Sequence, residues 1–402
     1  MDFISYSEAL QIIGDNKCQP KSAKVNLQEA FGKVLNEAIY ADRDFPPFDR
    51  VTMDGIAINY AAFEADQRVF PIERTIAAGM AKSTLADGSK CLQIMTGAIM
   101  PDGVDTVIRY EDISIDNEVA TINEAAIKGK QNVHFKGTDK KQGDVILAKG
   151  KLLGAPEMNI AAAVGKEALE VLVPPKAMII TTGDELVAIH EQPAAHQIRR
   201  SGNYGVRALI ENWGAETEML HLPDDKKLMT DALSAVIKNY QLVVLTGGVS
   251  KGKFDFLPDV MEALGVKKHF HKVKQRPGKP FWFGTAENGT TVFALPGNPV
   301  SSFMCAAVYI RHWLSTSLSL NIATQNAVIK EDVNFPKPFT YFLECQTQSN
   351  EKGQLEAIPS RGNGSGDFAN MIDADGFIVL PEGLDKFEKG EVYPFISYRN
   401  QF

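Results

Sequence analysis

Apolar positions in this chain recur at two periods, one helical and one alternating, and the periods change in blocks. Tyr6, Ala9, Leu10 and Ile13 lie at helical spacing behind Ser5 or Ser7 as the N-cap, and residues 27–35 repeat the pattern, predicting a second, short helix. At Phe45 the pattern gives way to short strand-like runs between turns. In FPPFDRVTMDGIAIN a turn at Asp54-Gly55 precedes Ile56-Ala57-Ile58. In CLQIMTGAIMPDGVDTVIRYED, Thr96-Gly97 ends one run and Pro101-Asp102-Gly103 leads into the next. Residues 142–173 return to helix, with Pro156 suited to a first turn, and Pro174-Pro175 makes a stiff break.

Beyond that break strand and helix alternate. The apolar run 177–180 stops at Thr181-Thr182-Gly183-Asp184-Glu185, and a helix with Val206, Ile210 and Trp213 on one face ends at Gly214. A strand near Met219 is followed by a helix through Leu228, Ala232, Leu233, Val236 and Ile237, and the run 242–245 then stops at Thr246-Gly247-Gly248. Such alternation predicts a mainly parallel sheet covered on both faces. A long apolar helix runs through Phe303, Ala307, Ile310 and Leu314, and from about residue 325 strand follows strand, as in a small barrel or sandwich. The expected fold is α/β and multidomain. A helical linker domain takes residues 1–43 and 142–173, a β-rich domain 44–141, a doubly wound, mainly parallel α/β domain 174–324, and a β-barrel-like domain 325–402.

Composition narrows the function. A chain of 402 residues exceeds one core. Its net charge of −8 argues against a general nucleic-acid surface, so an anionic ligand needs a local basic pocket. Cys18, Cys91, Cys305 and Cys345 are far apart without a C-x-x-C pair, which argues against a zinc knuckle or disulfide framework and for reduced thiols in a cytoplasm. The start, MDFISYSEAL, lacks signal-peptide character, and no apolar run approaches the roughly 20 residues that span a bilayer. A cytoplasmic protein is expected.

In a parallel sheet, ligands bind at the carboxyl ends of strands. Asp184, Glu185, Asp224, Asp225 and Asp255 all follow strand-like runs, so they gather on that edge, where Mg²⁺ with bound phosphate relieves their repulsion. Turn and N-cap duty accounts equally well for about half of them. The loop after Gly248 adds Ser250, Lys251 and Lys253. KQRPGKP places Arg276 and Lys279 around a proline-glycine turn facing an oxyanion, and LPGNPV (Pro296, Gly297, Asn298, Pro299) opens a helix with loop N–H groups turned to a ligand.

PPFDRVTMDG, IMTGAIMP, TTGDEL, LTGGVSKGKFD, PGKP and LPGNPVS, in this order, resemble the molybdopterin molybdenumtransferase family, which includes the C-terminal domain of gephyrin. The resemblance covers nearly the whole chain. It implies an elongated four-part homodimer whose doubly wound domain binds adenylylated molybdopterin and whose linker domain dimerises. Molybdate enters at the dithiolene, AMP leaves with help from Mg²⁺, and the pterin adenylyltransferase is an implied partner. Carried over by position, the nucleotide and pterin side falls on Gly247, Gly248, Ser250, Asp255, Lys279, Pro296 and Pro299, and the metal side on Asp184 or Glu185 with Asp224 or Asp225. Asp54, Thr96 and Asp139 correspond to residues that reach the cleft from the partner protomer, and Ser365 matches in the last domain. Gly202, His134, Phe135 and Glu344 depart from the family pattern, Glu344 standing where arginine is expected. Two further readings stand beside it: a non-catalytic scaffold on the same fold that only binds the pterin, and the pterin adenylyltransferase, which resembles the doubly wound domain alone and against which the extra domains argue.

Overall fold

The computed structural model describes residues 3–248, 256–360, 362 and 367–399. At its centre lies a six-stranded mixed sheet in the order Thr217–Leu222, Ala177–Thr182, Leu242–Thr246, Thr291–Leu295, Trp282–Thr285, Lys267–Phe270. The first four strands are parallel and the last two antiparallel. Burial on both faces explains their continuous apolar runs, and the side chains sort by the two-residue period of a strand. Ala177, Ile179, Leu242 and Val244 face one core, while Met178, Ile180, Val243 and Leu245 face the other. Helices Gly202–Asn212 and Pro299–Cys305 cover the first face, and Lys226–Asn239 and Leu257–Ala263 the second. The helix from Pro299 continues through a π-helical turn, Ala306–Ile310, into Arg311–Ser317.

The N-terminal helix Tyr6–Asp15 forms as expected. Ser5 Oγ accepts from the Glu8 N–H at 3.2 Å and Glu8 Oε2 accepts from the Ser5 N–H at 2.7 Å, satisfying two otherwise orphaned donors. Its buried Ala9 and Ile13 join the α/β core, and Trp313 Nε1 donates to the Asn16 carbonyl at 3.1 Å. Residues 27–35 are not a helix. They form a 3₁₀ turn, Leu27–Glu29, and a short strand, Val34–Leu35, with Gly32 at φ +74° between them, a conformation no helix interior holds. The helix Ala155–Ala163 carries Pro156 in its first turn, but Gly165 at φ +72° ends the turn region after it, and Ala168–Val173 is a strand rather than helix. That strand is the middle of a three-stranded sheet between Lys21–Asn26 and Val34–Leu35.

The β-rich part is a six-stranded sheet in the order Thr106–Arg109, Gly55–Ile58, Cys91–Ile94, Val69–Ile76, Val119–Ile122, Ile113–Asp116. At the C-terminal end Thr340–Ser349, Leu355–Pro359, Gln325–Ile329, Val392–Ser397 and Gly376–Leu380 close on themselves, because the last pairs back with the first. Closure removes the free edges of a small sheet. The short strand Gln275–Arg276 pairs with Thr340 and Tyr341, which ties the PGKP turn to the barrel. Among the described residues no helix is long and apolar enough to cross a membrane.

Candidate functional site

The carboxyl ends of the parallel strands open into a cavity of about 450 Å³. Thr182 and Gly183, Gly247 and Gly248, Pro296 to Pro299, and the loop from Ile198 to Asn203 form its walls. Glycine is required where the loops meet: Gly247 has φ +96°, and a Cβ there would lie 2.9 Å from the Thr182 carbonyl oxygen. Gly297 packs against the same glycine, where an added Cβ would lie 3.3 Å from the Gly247 Cα. Three lining side chains carry a buried polar atom without a hydrogen-bond partner among the described residues: Thr182 Oγ1, Asn203 Oδ1 and Asn298 Oδ1. Leaving such an atom buried and unpaired costs about 1–3 kcal/mol, and three of the four such atoms among the described residues belong to side chains that border this one cavity.

A second cavity of about 710 Å³ shares Pro280, Pro296 and Asn298 with the first and lies between the α/β part and the barrel. Arg276 and Lys279 line it from one side and Glu344 from the other. The Lys279 ammonium sits 5.5 Å from the centre of the Phe3 ring and 5.7 Å from that of Phe339, within cation–π range. Glu344 is bonded by the Asn370 amide, and burial, with a further push from Asp367, holds its carboxyl above the usual value against the lowering effect of Asn370.

The acidic residues divide. Asp184 Oδ1 accepts from the Asp224 N–H at 3.2 Å, which joins the two loops, and Glu185 and Asp224 line the first cavity. Asp225 caps Lys226–Asn239 by accepting from the Lys227 and Leu228 N–H groups, both at 2.8 Å. Among the described residues no three His, Cys, Asp or Glu side chains form a metal-holding group. Ser250, Asp255 and Ser365 lie outside the described residues.

In the β-rich part, Asp54 Oδ1 accepts from both the Thr96 N–H at 2.6 Å and its hydroxyl at 2.8 Å, and these two bonds, the backbone one first, hold the Asp54 carboxyl below its usual range. Asp139 pairs at 3.0 Å with His134, whose other ring nitrogen is 3.4 Å from the Arg50 guanidinium. Asp54, Thr96 and Asp139 are exposed and line neither cavity.

Residues 4–165 match the family model described as MoeA N-terminal region (domain I and II), 178–316 the one described as "Probable molybdopterin binding domain", and 326–398 the MoeA C-terminal region (domain IV). A molybdopterin molybdenumtransferase of Synechocystis sp. is 38% identical over 98% of this chain and 100% of its own length. The chain belongs to the MoeA family of molybdopterin molybdenumtransferases. A Staphylococcus epidermidis molybdopterin molybdenumtransferase is 28% identical over 98% of this chain and 95% of its own. The molybdopterin biosynthesis MoeA protein of Pyrococcus horikoshii superposes with a TM-score of 0.84 at 26% identity, over 99% of this chain and 100% of that one.

Against this MoeA frame, the structure brings Gly247, Gly248, Pro296, Gly297, Asn298 and Pro299 to one cavity and Arg276 and Lys279 to its neighbour. Sequence reasoning did not single out Thr182 and Asn203. Thr182 stands inside TTGDEL and Asn203 just past Gly202, but an unpaired buried atom is a property of packing and leaves no mark on the sequence.

Proposed function

We propose that this chain inserts molybdate into adenylylated molybdopterin and releases AMP. The observation that carries the reading is the set of three unpartnered polar atoms, on Thr182, Asn203 and Asn298, around a cavity at the carboxyl ends of parallel strands. The nucleotide and pterin lie across the two adjoining cavities, with hydrogen bonds from Thr182 and to the Asn203 and Asn298 carbonyl oxygens. Breaking the phosphoric anhydride leaves negative charge on AMP, and Lys279 in the PGKP turn and Arg276 just before it neutralise that charge. The donors present fit Mg²⁺, which keeps several waters and takes one or two carboxylates together with substrate phosphates. Asp184 and Asp224, joined across their loops, with Glu185 beside them, would hold it, and when bound it supplies charge neutralisation at the phosphate.

Asp54, Thr96 and Asp139 act in the same reaction from the partner protomer of a homodimer. Phe31, Leu152 and Ile322, which are 66%, 49% and 43% exposed around one apolar cavity, support such an interface, since a lone molecule rarely leaves large apolar side chains clustered in water. The pterin adenylyltransferase is the expected source of the substrate, and a cytoplasmic location is expected for the chain.

The test incubates the protein with adenylylated molybdopterin and Mg²⁺ and follows AMP. Release that requires molybdate supports the reading. Tight pterin binding with no molybdate-dependent AMP would make the chain a binding scaffold on the same fold.

A further inference from the structure

Behind the PGKP turn lies a buried polar pair that the reaction scheme does not use. Gln275 is 1% exposed and Tyr309 is fully buried, yet each finds a polar partner. The Tyr309 hydroxyl donates to Gln275 Oε1. The amide nitrogen of the same glutamine donates to the Gly278 carbonyl at 2.8 Å and to Cys305 Sγ at 3.4 Å. Both N–H donors and the oxygen of the amide are engaged, which gives it a single orientation, its oxygen on the helix and its nitrogen on both the turn and the helix. The turn has no slack beneath it. Gly278 stands at φ +81°, and a Cβ there would lie 2.8 Å from Cys305 Sγ, while the Val273 N–H closes the turn on the Lys279 carbonyl at 3.2 Å.

Tyr309 lies within the π-helical turn Ala306–Ile310, where the backbone departs from the register of an unbroken α-helix. Such turns recur at functional sites, and this one places its hydroxyl under the turn that presents Lys279. Gln275 also heads the short strand whose backbone pairs with the barrel at Thr340, so this residue joins helix, turn and barrel.

We propose that Gln275 and Tyr309 are positioning residues for Lys279: their buried hydrogen bond fixes the Arg276–Lys279 turn so that the ammonium is in place before substrate arrives. The inference rests on the reading that Lys279 faces the substrate phosphates. A pre-set turn raises turnover without tightening binding, because a displacement of about 1 Å at a reacting group can cost up to about 100-fold in rate.

The test combines kinetics with hydrogen exchange on the full chain. Gln275→Met keeps the volume and removes the polar anchor. Tyr309→Phe removes only the hydroxyl and serves if the first variant does not fold. The expected result is a fall of about tenfold in kcat for AMP release with KM for the adenylylated pterin within about twofold. Exchange should quicken at the Arg276, Gly278 and Lys279 amides, and the fall should vanish when the substitution is made in Lys279→Ala. An equal fall in the Lys279→Ala background, or unchanged rate and exchange in a folded variant, would overturn the proposal. Wild-type protein that releases no AMP sinks the functional reading alone, and the exchange data then decide the positioning.

Discussion

Thr182 is only 4% exposed, and its hydroxyl bonds to no described protein atom, so it costs stability unless a ligand engages it. Thr182→Val should therefore leave the melting temperature unchanged or raised while raising KM for the adenylylated pterin about tenfold, the loss of one hydrogen bond worth roughly 1.4 kcal/mol. A drop in melting temperature with unchanged KM would show the hydroxyl to be structural. Glu344 belongs to the same scale. Its carboxyl is raised above 4.5 by burial first, then by Asp367, so the folded state binds a proton more readily than the unfolded chain. Stability is lost as pH rises from that ordinary value through the raised one, and below both the penalty is absent. Glu344→Gln, which keeps an acceptor for Asn370, should raise the melting temperature at neutral pH and flatten that slope. It should also lower KM for molybdate, since a carboxylate in the cavity lined by Arg276 and Lys279 repels an oxyanion. Parallel melting curves for the two proteins across pH 4–8 would remove Glu344 as the cause. Lys279 and Asn298 could be read from PGKP and LPGNPV; the pocket roles of Thr182 and Asn203 could not.

At the level of elements, the strand–turn–helix units of the α/β part were legible because a strand buried on both faces is a continuous apolar run that ends at glycine. Gly247 shows why the ending matters. With φ +96° and the Thr182 carbonyl oxygen 2.9 Å from any added Cβ, Gly247→Ala should destabilise the fold by about 1–2 kcal/mol and disturb the cavity floor, an effect read by denaturant titration. A variant as stable as wild type would mean that the loop shifts freely. Two elements were misread for physical reasons. In residues 27–35 the helical spacing was accidental, and Gly32 breaks it. The strand Ala168–Val173 was lost in a helical window because it starts three residues past Gly165, and its pairing with Lys21–Asn26 and Val34–Leu35 spans more than 130 residues of sequence that local periodicity does not see.

On the scale of the whole molecule, Asp54 and Thr96 bond to each other on the β-rich part and face neither cavity of their own chain. On the proposed reading, the cavity of a partner protomer gives them a substrate. Co-expressing Asp54→Ala and Lys279→Ala chains under two tags and purifying the mixed dimer should restore one site of two, about half the wild-type activity per dimer. A mixed dimer no more active than its parents would place each complete site within one chain. A central, mainly parallel α/β layer and a small barrel or sandwich at the C-terminal end followed from the sequence pattern, whereas the two antiparallel strands of the central sheet, the closure of the barrel and the docking of Tyr6–Asp15 onto Arg311–Ser317, through contacts about 300 residues apart, did not. The most direct measurement is a crystal structure with adenylylated molybdopterin bound. The anhydride should lie within hydrogen-bond distance of the Thr182 hydroxyl and the Lys279 ammonium, with the Asn203 and Asn298 oxygens accepting from the ligand. A pterin seated away from the carboxyl ends of the parallel strands, with Thr182, Asn203 and Asn298 still unpaired, would contradict the account.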